Sequence, residues 1–533
     1  MYSFLRKVGL LIFFLAVFIT VSSAQDYNIL DYGAKRDGVT LNTKSIQTAI
    51  DKCNKTGGRV IIPEGVFITG TVYMKSNVEL HLNKGAELKG SSFFKDYPFN
   101  DIKYPNANTT DVNGKVLISR ALIFSEGQKN IAFTGEGTIN GSGDSKTFQL
   151  GNDGESEASR QRPCGLLIIN CKNILMQGLH LKNSAYWMQN YIGCDSLHIK
   201  GIDVYNHANY NEDGMDIDAR NVLIEDCHID VDDDGICFKN HERKHVCGNI
   251  LVRNCTVSSN CNAIKFGTVS MGGFKNVKIT GCNITASKTD NIRHWQKNLH
   301  FIGLPITVIS GIALESVDGA HIENVSVSNI KMTGVQTPIF IVLGNKGRNV
   351  VGSKGKSLVG SISNIRIENI QAESYSKMPS SITGLPGYYV ENIKLKNIAI
   401  TSMGNGTKDE GEKTLPENTE AYPENRMYGD IYPASGFYIR HAKNISFENV
   451  SLTLKNKDCR SNIVLDDVQN LTTNDLIMDA PSCDASSIKA INTKNLGFTH
   501  TRFTSPYKKL VKLQGTDKHE IHIDDKNDFE IDQ

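Results

Sequence analysis

Asn221-Val-Leu-Ile-Glu-Asp-Cys-His-Ile229, Asn249-Ile-Leu-Val-Arg-Asn-Cys-Thr-Val257 and Asn276-Val-Lys-Ile-Thr-Gly-Cys-Asn-Ile284 are successive versions of one nine-residue phrase. Apolar and polar residues alternate through each, which is the period of a β-strand. Asn opens each phrase, and Asn and Gly mark the turns between strands. Two earlier copies, Asn173–Leu181 and Ser196–Val204, extend the series, so that successive starts lie 23, 25, 28 and 27 residues apart. Later copies begin at Ala320, Asn364, Asn392 and Asn444, and weaker ones at Asn130 and Asn470. A repeat in the twenties, rich in β-branched residues, predicts an all-β, single-stranded, right-handed parallel β-helix, in which each copy buries its apolar face against the next. The leucine-rich repeat has a similar period but needs a denser leucine framework.

Stacking would align Cys227, Cys255 and Cys282 as a ladder of small buried side chains. They are three of twelve cysteines. Some of the twelve are expected to pair in an exported chain, though their connectivity is not legible in the sequence. No Cys/His spacing resembles a zinc site, and neither metal nor cofactor is expected.

The N-terminus reads as a secretory signal over residues 1–24. Arg6 and Lys7 precede the apolar run Val8–Val21, and Ser22-Ser23-Ala24 offers a small-residue cleavage site. The run is short for a membrane span, and none is expected elsewhere. The chain is therefore expected to be secreted or periplasmic, with residues 25–533 as one β-helical domain. Residues 25–90 should form an N-terminal cap and the first coils, the cap built on an amphipathic helix at Asn42–Cys53, because a solenoid end exposes strand edges and core. Residues 404–430 read as a long loop, and residues 506–533 as a terminal cap or tail. With 58 Lys+Arg against 57 Asp+Glu, the net charge of +1 gives no electrostatic reason to expect nucleic acid or a membrane surface as partner. A polysaccharide or oligosaccharide substrate is expected instead, and the chain is expected to be a monomer.

Two acidic clusters interrupt the repeat at similar places in successive copies: Asn211-Glu-Asp-Gly-Met-Asp216 and Asp232-Asp-Asp-Gly235. Stacking brings them together, and converging carboxylates suit acid–base chemistry on a glycosidic bond. A solvated turn or a calcium site is the bland alternative.

Around these clusters the chain resembles glycoside hydrolase family 28, the polygalacturonase-type pectinases. The resemblance rests on YGAKRDGVTLNTKSIQTAID…GGRVIIPEGVF near the N-terminus, NIAFTGEGTINGSG at Asn130–Gly143, NSAYWMQNY at Asn183–Tyr191, NEDGMD and DDDGICFK, and runs from about Tyr27 to about Val450. It implies a pectin-lyase-like solenoid fold. It also implies that Asp233 is the proton donor and that Asp213 and Asp234 activate water for inverting hydrolysis of a pectic polysaccharide. Asp216 and Asp232 are expected to be supporting residues. Asn211 is expected at a turn or a sugar hydroxyl, and Trp187 near the sugar. Two positions depart from the family pattern. Asn262 stands for the histidine of Gly-His-Gly, and Ala313 and Glu315 stand for the cations of Arg-Ile-Lys. Losing charge-assisted hydrogen bonds to an acidic sugar turns the expectation away from plain homogalacturonan, toward a rhamnogalacturonan-type or related glycan. Lys265 and Arg293 are the candidate replacement cations. Trp295 and the insertion Asn240–Gly248, with His241 and His245, are candidate cleft walls. The alternatives are a polysaccharide lyase on the same fold and a non-catalytic glycan-binding β-helix.

Overall fold

The repeated phrases form strands that pair in parallel with their counterparts one copy along. In the computed structural model, residues 25–103, 119–149, 161–288, 308–347, 358–524 and 529–533 are described. The phrase strands stack in register: Val222 on Ile250, Ile250 on Val277, Val277 on Val325 and Val325 on Ile365. Every inter-coil strand pairing is parallel, as a chain winding in coils requires. The turn residue that opens each phrase explains why Asn recurs there. Asn221, Asn249 and Asn276 sit at φ 57°, 55° and 57°, a left-handed conformation Asn tolerates better than most residues. Their side-chain amides donate up the stack, Asn249 to Asn221 at 3.1 Å and Asn276 to Asn249 at 3.3 Å, and the ladder continues through Asn392, Asn444, Asn470 and Asn495.

One buried apolar cluster runs from Tyr27 to Ile521 inside the coils. Cys227, Cys255 and Cys282 are buried, unpaired members of it, as the ladder reading expects. Cys459 and Cys483 form a disulfide. A helix, Thr43–Thr56, buries Ile46, Ala49, Ile50 and Cys53 in the same cluster. The C-terminal residues extend the stack rather than trail from it: Lys509–Gln514 pairs with Ile488–Ile491, and Ile521–Asp524 with Lys494–Thr499. No helix among the described residues is long and apolar enough to cross a membrane; the expected signal segment lies outside those residues.

Candidate active site

Two acid-bearing turns feed adjacent strands, and backbone hydrogen bonds lock them coil on coil. Met188 N–H donates to Asp213 O at 3.1 Å, Gly214 N–H to Asp234 O at 2.9 Å, and Gly235 N–H to Asn262 O at 2.8 Å. Each of the two acids is followed by glycine for a steric reason. A Cβ on Gly214 would lie 2.6 Å from Gly235 O, and one on Gly235 would lie 2.4 Å from Val257 Cγ1. The Asp-Gly pairs let the coils approach closely enough to bring the carboxylates together.

Beyond the turns run the strands Gln189–Lys200, Met215–Glu225, Ile236–Asn240, Asn262–Ser270 and Val308–Ser316. Strand alternation sends Ile217, Phe238, Phe266 and Leu314 into the main core. Their neighbours on the other face form a column in register: Asn190, Asp216, Cys237, Lys265, Ala313. The column is polar in its middle, with Ser381 a further polar position between Phe340 and Tyr438. On one side it continues into a cluster containing Phe124, Leu167 and Ile169, with Tyr186 and Trp187 against it. On the other it continues into a cluster of Ala313, Phe340, Tyr438 and Val464, covered by Met427, Tyr428 and Tyr432.

Two buried lysines set the electrostatics. Lys239 Nζ lies 2.8 Å from Asp216 Oδ1, 3.6 Å from Asp213 Oδ2 and 4.7 Å from the centre of the Trp187 ring. Lys265 Nζ lies 3.1 Å from Asp234 Oδ2 and 3.9 Å from Glu315 Oε2. Asn262 Nδ2 donates to Asp234 Oδ1 at 2.8 Å, so both oxygens of Asp234 meet donors.

The three acids consequently differ. Burial and the neighbouring Asp234 charge push Asp233 up to about 6. Burial, then Asp216 and Asp233, push Asp213 well above the usual carboxylate range. Burial also opposes the charge on Asp234, but Lys265, Lys239 and the Asn262 amide outweigh it, and Asp234 is held below its ordinary value. Neighbouring carboxyls with opposed ionisation are the arrangement in which one donates a proton while the other stays charged. The donor atoms of Asp233, Asp234 and Cys261 also lie within 4.8 Å of one another; burial raises the Cys261 thiol and keeps it protonated.

Asp213, Asp233, Asp234, Asn262, Lys265 and Trp187 thus meet in one place. Asn211 supports the first acidic turn: it adopts φ 56° and its Oδ1 accepts from Arg162 Nη2 at 3.2 Å. Arg293 and Trp295 lie outside the described residues. The insertion Asn240–Gly248 is anchored to the site's floor, because His241 Nδ1 and His245 Nδ1 lie 2.9 and 3.0 Å from the two oxygens of Asp218.

Three side chains escaped the sequence reading. Lys239 closes the DDDGICFK stretch, which was the available signal. Arg162 is buried, donates to Ala185 O and Tyr210 O at 2.8 and 2.7 Å, and covers the Tyr186 ring. Tyr422 comes from the 404–430 segment. Its hydroxyl lies 2.9 Å from Thr268 Oγ1 and its ring lies 5.7 Å from Lys265 Nζ. No local pattern marks the last two.

A sequence profile of Glycosyl hydrolases family 28 matches residues 53–419, more than half of the chain. Over 260 residues the chain is 32% identical to the exo-poly-alpha-D-galacturonosidase of Dickeya chrysanthemi, a stretch covering 45% of this chain and 41% of that protein. It therefore spans less than half of that relative's length. A probable polygalacturonase of Vitis vinifera is 24% identical over 391 residues, covering 71% of this chain and 74% of its own. Among solved structures, the hyperthermoactive exopolygalacturonase of Thermotoga maritima is similar in fold, with a TM-score of 0.58 at 23% identity, over 71% of this chain and 87% of that one. The family 28 exopolygalacturonase of Yersinia enterocolitica has a TM-score of 0.52 at 18% identity, over 94% and 78% of the two chains.

Proposed function

The chain belongs to glycosyl hydrolases family 28, and we propose from that premise that it hydrolyses a pectic polysaccharide by inverting acid–base catalysis. The observation that carries the reading is the split between Asp233, pushed up to about 6, and Asp234, held down beside it. Asp233 protonates the glycosidic oxygen as the bond to the anomeric carbon breaks. Asp234 takes the proton of the attacking water on the opposite face of the sugar, and Asp213 orients that water. Trp187, Asn211 and Asn262, beside these acids, are the proposed sugar contacts. The family relatives act on galacturonate polymers by name, which supports a pectic substrate here.

The charges argue about which pectic substrate. Around Asp233, the carboxyls of Asp213 and Asp216 pair with Lys239, and those of Asp234 and Glu315 pair with Lys265. Each cationic hydrogen bond to an acidic sugar that is missing at Ala313 and Glu315 weakens binding by about 1.5–3 kcal/mol. A glycan in which uronates alternate with neutral sugars suits this site better than unbranched homogalacturonan. The apolar clusters on both sides of the polar column support a short site that takes chain ends. The helix Thr43–Thr56 reads as the cap of the first coil, residues 25–533 as one domain, and residues 1–24 as an export signal of a monomeric, secreted or periplasmic enzyme.

A panel of homogalacturonan, rhamnogalacturonan and neutral polysaccharides, with products sized, tests this. Release of small products from rhamnogalacturonan with slow loss of chain length is expected. Faster depolymerisation of homogalacturonan than of every other glycan would overturn the substrate assignment.

A further inference from the structure

We propose that Lys265 is a positioning residue for the catalytic base: it holds Asp234 as a carboxylate, and Glu315 on the following coil holds Lys265 in place. The inference rests on the reading of Asp234 as the group that activates water.

The geometry leaves the ammonium little else to do. Lys265 is buried, with Asp234 Oδ2 at 3.1 Å and Glu315 Oε2 at 3.9 Å. The Tyr422 ring lies 5.7 Å away, within the range of a cation–π contact. An ammonium has three donors, and two carboxylates and an aromatic ring already surround this one. It is poorly placed to receive a substrate carboxylate as well, which was the role expected of it from the sequence.

The sequence departures at Ala313 and Glu315 acquire a joint reason. Lys265 lies in register with Ala313, so the long side chain rises where the neighbouring coil offers only a methyl group. Glu315, two residues further on the same strand and fully buried, supplies the charge that accompanies a buried lysine. The strand Val308–Ser316 thus gives up the cations of the family pattern while its neighbour gains one facing the catalytic acids.

The charges facing Asp234 define what this cation does. Asp233 beside it and Asp213 on the preceding coil are the other carboxyls that face it, and burial opposes its ionisation. Lys265 and Lys239 favour it, and the Asn262 amide donates to it. Cys261 is a protonated thiol. Asp216 lies beyond Lys239, and Glu315 and Tyr422 lie beyond Lys265. Among the described residues, Lys265 is the cation in ion-pair range of Asp234. Without it, three carboxyl groups crowd one site, and a proton goes to the group that must stay charged.

The test uses Lys265→Met and, to keep the test open should the buried Glu315 carboxylate oppose folding of that variant, Lys265→Met/Glu315→Met. Two readouts are taken. One is kcat and KM against pH on the pectic glycan that the parent enzyme cleaves. The other is the carboxyl titration of Asp234, followed by carbon NMR of aspartate-labelled protein without substrate and assigned with Asp234→Asn. In a folded variant kcat should fall by about 100-fold or more with KM changed only a few-fold. The acidic limb of the rate profile and the Asp234 titration should both move to higher pH. A raised KM with both pH dependences as in the parent would overturn the proposal and make Lys265 a substrate cation. A shifted Asp234 titration in a protein whose parent cleaves no pectic glycan would uphold the role of Lys265 on Asp234 and remove the hydrolase reading.

Discussion

Asp233→Asn is expected to lower turnover by about 10²–10⁴-fold and to leave the unfolding curve unchanged. The two halves have separate causes. Asp233 is only partly buried, and its side-chain Oδ1 accepts the Asp234 N–H at 2.9 Å, a bond the Asn amide oxygen can keep. The amide has no acidic proton to give to a leaving oxygen. The pH dependence carries a second signature. Burial and Asp234 push Asp233 up to about 6, so the acid is loaded below that pH and empty above it. Activity of the unmodified enzyme should fall as pH rises through about 6, and residual activity of Asp233→Asn should not show that descent. Steady-state rates on the preferred pectic glycan across the mildly acidic range check both. Near-normal turnover by a folded Asp233→Asn protein would remove Asp233 from the donor role.

Lys239→Met is expected to destabilise the fold by about 3–5 kcal/mol, the cost of leaving a buried charge without its partner. Asp216 and Asp213 are both buried, and Lys239 lies 2.8 and 3.6 Å from them. Methionine keeps much of the stem's volume against Trp187 while deleting the charge, so the loss reports the electrostatics rather than a cavity. Lys239→Met/Asp216→Asn should recover part of it, since the second change removes the charge closest to the missing ammonium. Denaturant unfolding of the three proteins gives the answer. A loss below about 1 kcal/mol in the single variant would mean that Lys239 is not what allows these carboxylates to be buried.

The coils were legible because each repeated phrase states its own conformation. The phrase starting at Asn249 alternates apolar and polar residues and opens with a residue suited to φ near +55°, and both properties are local. The acids were legible for the same reason: Asp213-Gly214 and Asp234-Gly235 occupy matching places in adjacent copies, and stacking does the rest. The cations were less so: Lys265 was expected at the site, but as a substrate cation and not as a partner of Asp234, and Lys239 was not expected at all. Lys239 and Lys265 look like ordinary outward-facing strand residues until the register sets one against Asp213 and Asp216 and the other between Asp234 and Glu315. Glu315 read alone is a charge repelling an acidic sugar, whereas on the stack it faces a buried ammonium. Tyr422 was hidden more deeply. It sits in a segment whose composition says only loop, and its position depends on contacts far along the chain, such as Asn425 Nδ2 with Ile309 O and Gln336 Oε1, each at 3.3 Å. Tertiary packing of that kind leaves no periodic trace.

The central claim is that paired acids on stacked turns hydrolyse a glycosidic bond with inversion. Proton NMR of the first product released from the preferred pectic glycan tests it most directly, because the anomeric signal is read before mutarotation. A saturated sugar is expected, whose new reducing end has the anomeric configuration opposite to that of the bond cleaved. A product retaining that configuration, or an unsaturated sugar formed by elimination, would contradict it.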